Sequence, residues 1–247
     1  MINHVPALSL WLDRLELRSV LNDDERQAVL SLPGQFEVIK PNHDFVRLDD
    51  NVNHVYSIAS GLTGSFGQLK NGERQMTALH LPGNMANLHS IVLPSSISAI
   101  RSINETLVYR ITHKFIHTIA ADSLALSKAF WRDCTIDAAV LSQWSVMNAR
   151  LPALGKVAHI LCEMCCRFSN GICQDGSSFE WQLTQVHLAD ITGLTAVHVN
   201  RMLRAIREDG AAEIVGRRMH VLNWTKLVTM AKFDPRYLAL EKLAELL

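Results

Sequence analysis

No cysteine occurs among the first 133 residues; the five in the chain begin at Cys134. That distribution leaves the first half without a disulfide framework and without thiolates to hold an iron–sulfur cluster. Charge of either sign is not in excess, with 24 basic and 24 acidic residues, which excludes a protein that coats nucleic acid indiscriminately. No apolar run approaches the length of a bilayer span, and no charged leader with an apolar core opens the sequence, so a cytoplasmic protein with no membrane partner is expected. Catalytic signatures are missing too. There is no HExxH, no phosphate-cradling glycine-rich loop and no nucleophile with a base at telling spacing, so no catalytic residue is assigned and no enzyme is expected. Asp23-Asp24 and Asp49-Asp50 read as helix-start and turn residues.

What is present is a chain of 247 residues, 48% hydrophobic, enough for two ordinary domains with good cores. Thr184 to Arg207 reads as a helix, a tight turn at Gly193 and a second helix. Leu188, Ala189 and Ile191 give the first helix an apolar side, and Ala189 is small enough to let a second helix cross closely. Thr195 can cap the second helix, whose Val199, Leu203 and Ile206 recur at helical spacing. Val197, His198, Asn200, Arg201 and Arg204 are then left facing outward, with chemistry suited to base edges and phosphates. Glu213 to Leu222 reads as two short strands around a Gly-Arg-Arg turn, which would make a wing. Residues up to Ala149 carry 12 basic and 14 acidic side chains and the remainder 12 and 10, so positive charge is local to this helix and wing.

Between Phe36 and about Ile111, short apolar stretches (Phe45-Val-Arg-Leu, Val55-Tyr-Ser-Ile-Ala, Met76-Thr-Ala-Leu-His-Leu, Thr106-Leu-Val-Tyr-Arg-Ile) are punctuated by Ser60-Gly61, Asn71-Gly72 and Pro82-Gly83. This predicts a compact antiparallel β structure, prefaced by a helix that starts at Asp23-Asp24-Glu25. Asp122 to about Asn148 contains no glycine or proline and predicts a long amphipathic helix with two apolar rows. Phe130, Cys134, Asp137, Leu141 and Trp144 form one row and Ile136, Val140 and Met147 the other; one row would pack on the β domain and the other on a symmetry mate. Leu151-Pro152 marks a hinge. The expected domains are thus a β-roll over 1–121, a dimerisation helix over 122–149 and a winged helix over 150–247. Cys162, Cys165 and Cys166 lie on one helical face and read as packing residues; with Cys173 nearby, a metal or redox role is the alternative.

The order of these parts, with Leu183-Thr-Gln-Val-His-Leu-Ala-Asp-Ile-Thr-Gly-Leu-Thr-Ala-Val-His-Val-Asn-Arg-Met-Leu, Arg14-Leu-Glu-Leu-Arg-Ser, Pro82-Gly-Asn, Leu88-His-Ser and Phe233-Asp-Pro-Arg-Tyr-Leu, resembles the Crp-Fnr superfamily of bacterial transcription regulators, in a proteobacterial subgroup. The resemblance covers nearly the whole chain. It implies an α+β fold with an N-terminal cyclic-nucleotide-binding-like β-roll, a long dimerisation helix and a C-terminal winged helix-turn-helix. It further implies double-stranded DNA and a second copy of the chain as partners, with RNA polymerase a further one.

Position by position, the family's cyclic-phosphate cassette of Gly-Glu followed by Arg-Ser or Arg-Thr is replaced here. Ala86-Asn87 stands for the first pair, and Ser95 or Ser96 stands where the arginine should fall. A buried phosphate would lack its countercharge, so cAMP binding is not expected. Asn84, Asn87, His89, Ser95 and Ser96 are the candidate effector pocket. The oxygen-responsive branch's N-terminal cysteines are absent. His43, His54, His80 and His89 are scattered, leaving haem or a metal as an alternative while no cofactor is expected. In the recognition helix, Ala196 and Val197 occupy positions where relatives carry an acidic or arginine side chain, and Arg201 matches the family's DNA-contacting arginine. The base readers would be Val197, His198, Asn200 and Arg201; Thr184, Thr195, Arg204, Arg217 and Arg218 would take phosphates. The competing expectation is a haem- or small-ligand-sensing module whose winged helix contacts protein instead of DNA.

Overall fold

The computed structural model describes residues 5–240. Their contacts divide into two compact units, one through Ala138 and one over Ala139–Leu240. The first contains helices α1 (Val5–Glu16), α2 (Asp23–Leu30) and α3 (His113–Asp122), with eight strands between α2 and α3. These are β1 (Gln35–Ile39), β2 (Asp44–Val46), β3 (His54–Ser60), β4 (Thr63–Gln68), β5 (Arg74–His80), β6 (Met85–Ala86), β7 (Ala99–Ser102) and β8 (Thr106–Thr112). They form two four-stranded antiparallel sheets, ordered β1-β8-β3-β6 and β2-β7-β4-β5.

Period-two alternation decides what each face covers. Tyr56, Ile58 and Val108 join Ile39, Val46, Ala86 and Ile100 in a core drawn from both sheets. Their neighbours Val55, Tyr109 and Ile111 point the other way, into a second core with Leu8, Trp11, Leu15, Val29, Ile116 and Phe130 from the helices. Tyr109 anchors the layer by donating its hydroxyl to the Leu32 carbonyl at 3.0 Å. Trp11 stacks on Phe130 with centroids 5.3 Å apart, and the buried Arg18 pairs with Asp133 at 3.0 Å. The Asn71-Gly72 hairpin joins β4 to β5 as its sequence predicts, with Gly72 at φ +89°. Gly83 has a harder reason to be glycine: at φ +87°, an added Cβ would meet the Leu10 carbonyl oxygen at 2.8 Å.

The long helix α4 is Leu124–Arg150, close to the expected span, and α3 is an extra helix over residues to which the sequence analysis assigns no element. The structure corrects the expected dimer row. Phe130 is 2% exposed in the first unit's own core, and Trp144 is buried in the second, so neither ring is free for a partner. Trp131, by contrast, is 63% exposed, and Leu124 and Leu141 are exposed with it. Leu124, Trp131, Cys134 and Leu141 follow steps of seven, three and seven, the spacing of a coiled-coil seam. Asp137 is half-buried.

Leu151 ends α4, and Pro152 is the N-cap of α5 (Ala153–Phe168), as expected for a break at Leu-Pro. The second unit continues with β9 (Ser178–Glu180), α6 (Gln185–Thr192), α7 (Ala196–Glu208), β10 (Ala212–Val215), β11 (Arg218–Val221) and α8 (Trp224–Ala231). Helix α5 is its spine, buried from Val157 to Arg167. At its centre the buried Glu163 carboxylate accepts hydrogen bonds from Trp144 Nε1 at 2.7 Å and the Tyr237 hydroxyl at 2.8 Å, and pairs with Arg167 at 3.0 Å. Leu238, Leu240, Leu243 and Leu246 also suggest a short helix within Phe233 to Leu247; among the described residues that stretch holds a 3-10 turn, Pro235–Leu238, and Leu243 and Leu246 lie outside them.

Truncation of Phe130 removes a ring stacked on Trp11 in a closed core. Phe130→Ala is expected to lower the stability of the first unit by about 3 kcal/mol, read as a reduced urea midpoint of its unfolding transition.

Candidate nucleic-acid interface

Helix α6 begins at Thr184, whose hydroxyl accepts the His187 amide at 3.3 Å, while the Thr184 amide donates to His187 Nδ1 at 3.1 Å. This is a capping box with histidine in the position usually held by glutamate. Burial lowers the His187 pKa below its ordinary 6.5, with Asp190 opposing, which keeps Nδ1 free to accept. The helix stops at Gly193 in the left-handed region at φ +64°. Two side chains from elsewhere in the unit hold its last carbonyls: Asn148 donates to Ile191 O at 2.9 Å and Lys156 to Thr192 O at 3.2 Å. Partners 43 and 36 residues away leave no local signal, and the sequence reading did not find them.

Thr195 caps α7 as expected, its hydroxyl accepting the His198 amide at 3.2 Å. Val199 and Ile206 are fully buried, with Leu203 half-buried, so the apolar stripe seats the helix. The opposite face carries Val197 at 72% exposure with exposed Asn200, Arg201 and Arg204; His198 is half-buried. Arg207, which was not singled out, extends the row of arginines at steps of three.

The wing is the β10–β11 hairpin, and the observed turn is Gly216-Arg217, with Gly216 at φ +59°. Arg218 is therefore not in the turn; it is paired with Val215 as the first residue of β11. A third strand, β9, adds to the outer side of β11 through Phe179 opposite Met219. It went unread because three residues, Ser178 to Glu180, are too short to show periodicity. Among the described residues Arg217 is held by an exposed ion pair with Glu180 at 3.7 Å, so its guanidinium is readily surrendered to another anion. Between wing and helices lies a cleft of about 590 Å³ lined by Trp181, Thr184, Asn200, Arg204, Arg207 and Arg217. The structure thus brings together one predicted base reader and three predicted phosphate contacts. Val197, His198 and Arg201 lie on α7 outside that lining.

The candidate effector residues are largely bonded to their neighbours, although the buried Asn87 Oδ1 has no partner among the described residues. Asn84 accepts from the Leu81 amide at 2.8 Å, Asn87 donates to His54 O at 3.0 Å and to Ser90, and Ser96 donates to Ser98 O at 2.6 Å. Ser95 bridges to Asn51, and His89 is half-buried with its pKa lowered by burial. Among the described residues no three His, Cys, Asp or Glu side chains converge to hold a metal ion. No helix among them is long and apolar enough to cross a membrane.

Residues 155–230 match the description of a Crp-like helix-turn-helix domain. A Vibrio cholerae fumarate and nitrate reduction regulatory protein is 21% identical over 85% of this chain and 84% of its own length. The transcriptional activator protein Anr of Pseudomonas protegens is 20% identical over 85% and 86%. FixK2 from Bradyrhizobium japonicum superposes with a TM-score of 0.74 at 22% identity, covering 82% of this chain and all of that one. Residues 155–230 are thus similar to a Crp-like helix-turn-helix domain, and the described fold is that of FixK2. A CooA mutant from Carboxydothermus hydrogenoformans shares the fold at a TM-score of 0.65 and 15% identity, over 80% of this chain and 88% of that one. The shared fold accords with the α+β architecture of β sheets, long helix and winged helix-turn-helix.

Protonation of His187 would turn Nδ1 from acceptor into donor and break the capping box. Because its folded pKa is depressed, the unfolded chain takes up the proton first. The stabilisation is complete above 6.5 and is lost as pH falls below it. An NMR titration is expected to place the His187 midpoint below 6.5, with faster Thr184 amide exchange on acidification; a midpoint at or above 6.5 would refute the cap's role.

Proposed function

We propose that the chain is a sequence-specific DNA-binding transcription regulator that acts as a homodimer on a pseudo-palindromic site. The observation that carries this reading is α7, seated by Val199 and Ile206, with Val197, Asn200, Arg201 and Arg204 exposed on its outer face. Arg201 has the chemistry for a bidentate guanine contact, Asn200 suits adenine, and Val197 can pack on a thymine methyl. Arg204, Arg217, Arg218 and the caps at Thr184 and Thr195 set the register through phosphates. The division of labour is a sensor over 1–121, a dimerisation helix over 122–149 and a DNA-binding part over 150–247. Two copies would place their recognition helices roughly 34 Å apart, one DNA turn. The protein acts in the cytoplasm and without catalysis, and RNA polymerase is its downstream partner.

The signal acts on the β-roll and is not cAMP. Residues 83–98 contain no lysine or arginine to neutralise a buried phosphate. A ligand there would shift the dimer only by its differential affinity for two arrangements of the helices.

Selection of random duplex DNA by the ligand-free protein at about 150 mM salt tests the reading directly. A two-fold palindrome is expected, and Arg201→Ala should lose about 1–3 kcal/mol at that site with relaxed preference at one position. Binding that Arg201→Ala leaves unchanged would instead make α7 a protein-contact surface. The dimer seam is tested separately: Trp131→Asp should convert the protein to monomer in sedimentation velocity, since it places a charge in a desolvated apolar contact. A Trp131→Asp protein that stayed dimeric would move the interface elsewhere.

A further inference from the structure

Four sulfurs gather where α5 ends. Cys162, Cys165 and Cys166 are buried on one face of the helix, and Cys173 returns to them from the exposed loop that follows. Packing explains the first three. It does not explain Cys173, whose Sγ lies 3.4 Å from Cys166 Sγ and 3.3 Å from the Ser169 hydroxyl, on a half-buried residue flanked by exposed Ile172 and Gln174. The return is made by Asn170 and Gly171, both in the left-handed region at φ +51° and +90°, with the Gly171 amide closing onto Cys166 O at 2.8 Å.

We infer that Cys173 and Cys166 are a peroxide-oxidisable pair, in which Cys173 is the attacking thiol and Cys166 the resolving one. Cys173 is the sulfur a hydroperoxide can reach, and the one whose anion is stabilised. Thiol donors from Cys165 and Cys166 and the Ser169 hydroxyl hold its pKa well below that of an ordinary thiol, despite burial. The buried thiols are held protonated for the same reasons, which leaves Cys166 its proton until the second step. In the first step the Cys173 thiolate attacks the terminal oxygen of ROOH. The O–O bond breaks, ROH leaves after taking a proton, and Cys173 becomes a sulfenic acid. In the second the Cys166 sulfur displaces the hydroxyl from Cys173. An S–S bond replaces the S–O bond, and water leaves with the Cys166 proton. Two thiols are oxidised by two electrons and one hydroperoxide is reduced to ROH and water. A dithiol reductant reverses the bond by exchange.

The sulfurs must close from 3.4 Å to the covalent distance of about 2.0 Å, a movement that the loop can supply. That loop is also fastened to the wing side of the unit. Gly176 donates to Val221 O at 2.9 Å and Asp175 accepts from the Trp224 amide at 2.7 Å.

The test treats the full-length, fully reduced protein with hydrogen peroxide, blocks remaining thiols with N-ethylmaleimide, and maps tryptic peptides without reduction. Cleavage after Arg167 separates the two cysteines, so their disulfide appears as a cross-linked peptide pair that dithiothreitol dissolves. Cys166→Ser should trap Cys173 as a sulfenic acid reactive toward dimedone, and Cys173→Ser should abolish both products. Should Cys166→Ser fail to fold, competitive alkylation of the unmutated protein at mildly acidic pH decides. Cys173 is expected to react about tenfold faster than Cys134, whose thiol is pushed up to about 12 by burial and by Asp133 and Asp137. Oxidation confined to Cys134, a disulfide between other cysteines, or Cys173 reacting no faster than Cys134 would overturn the assignment.

Discussion

The Glu163 carboxylate is the constraint on which the second unit is built. It is 1% exposed, and a charge so placed is tolerable only with donors on its lone pairs. Trp144 from the end of α4, Arg167 one turn along α5, and Tyr237 from the C-terminal 3-10 turn provide them. His159, one turn earlier on α5, bonds Tyr237 in turn at 3.1 Å and stacks near it, while Phe233 meets its edge. Three segments far apart in sequence are thus specified by one buried anion. Apolar packing alone would tolerate a shift of any of them by a helical turn; a carboxylate that loses a donor would not. Burial raises the Tyr237 pKa, and the neighbouring carboxylate raises it further, so the phenol remains a donor.

From that spine the interface follows by short steps. Asn148 lies four residues beyond Trp144 on α4, and Lys156 seven before Glu163 on α5; both reach the C-terminal carbonyls of α6. With those carbonyls occupied and Gly193 turning the chain, the start of α7 is held by the frame and not by its own surface. Every side chain on the outward face of α7 is then released from structural duty. Val197 is one of the side chains so released, 72% exposed at the start of that face. An exposed valine beside Asn200 and Arg201 makes physical sense where a mixed polar and methyl-bearing surface, such as a major groove, comes against it.

Much of this was legible in the sequence wherever a signal is local. Asn71-Gly72, the Asp23-Asp24-Glu25 helix start, the Thr195 cap, the Gly193 turn and the Leu151-Pro152 break all depend on neighbours within four residues, and all appear at their expected places. Strand β4, with the sequence Thr-Gly-Ser-Phe-Gly-Gln, was not read because its two glycines and polar residues suppress the apolar alternation; it is a strand because β5 and β7 flank it. The dimer row was misassigned for a related reason. Phe130 and Trp144 recur at heptad spacing with Leu141, but hydrophobic periodicity states only that a face is covered, not by what. Trp11, 119 residues from Phe130, and Glu163, 19 residues from Trp144, decided that question.

The corrected row has a consequence for how a signal could reach DNA. Phe130 and Asp133 bind α4 to the first unit through Trp11 and Arg18, while Trp144 and Asn148, on the same helix, bind it within the second through Glu163 and Ile191. Leu124, Trp131 and Leu141 lie between and around these anchors, exposed. A partner helix seated on that seam would meet side chains that neither core has fixed, so the helix contact can change without unpacking either unit. Of the side chains of α4, it is therefore this exposed row, and not those fixed at Phe130, Asp133, Trp144 and Asn148, that a second copy could bias.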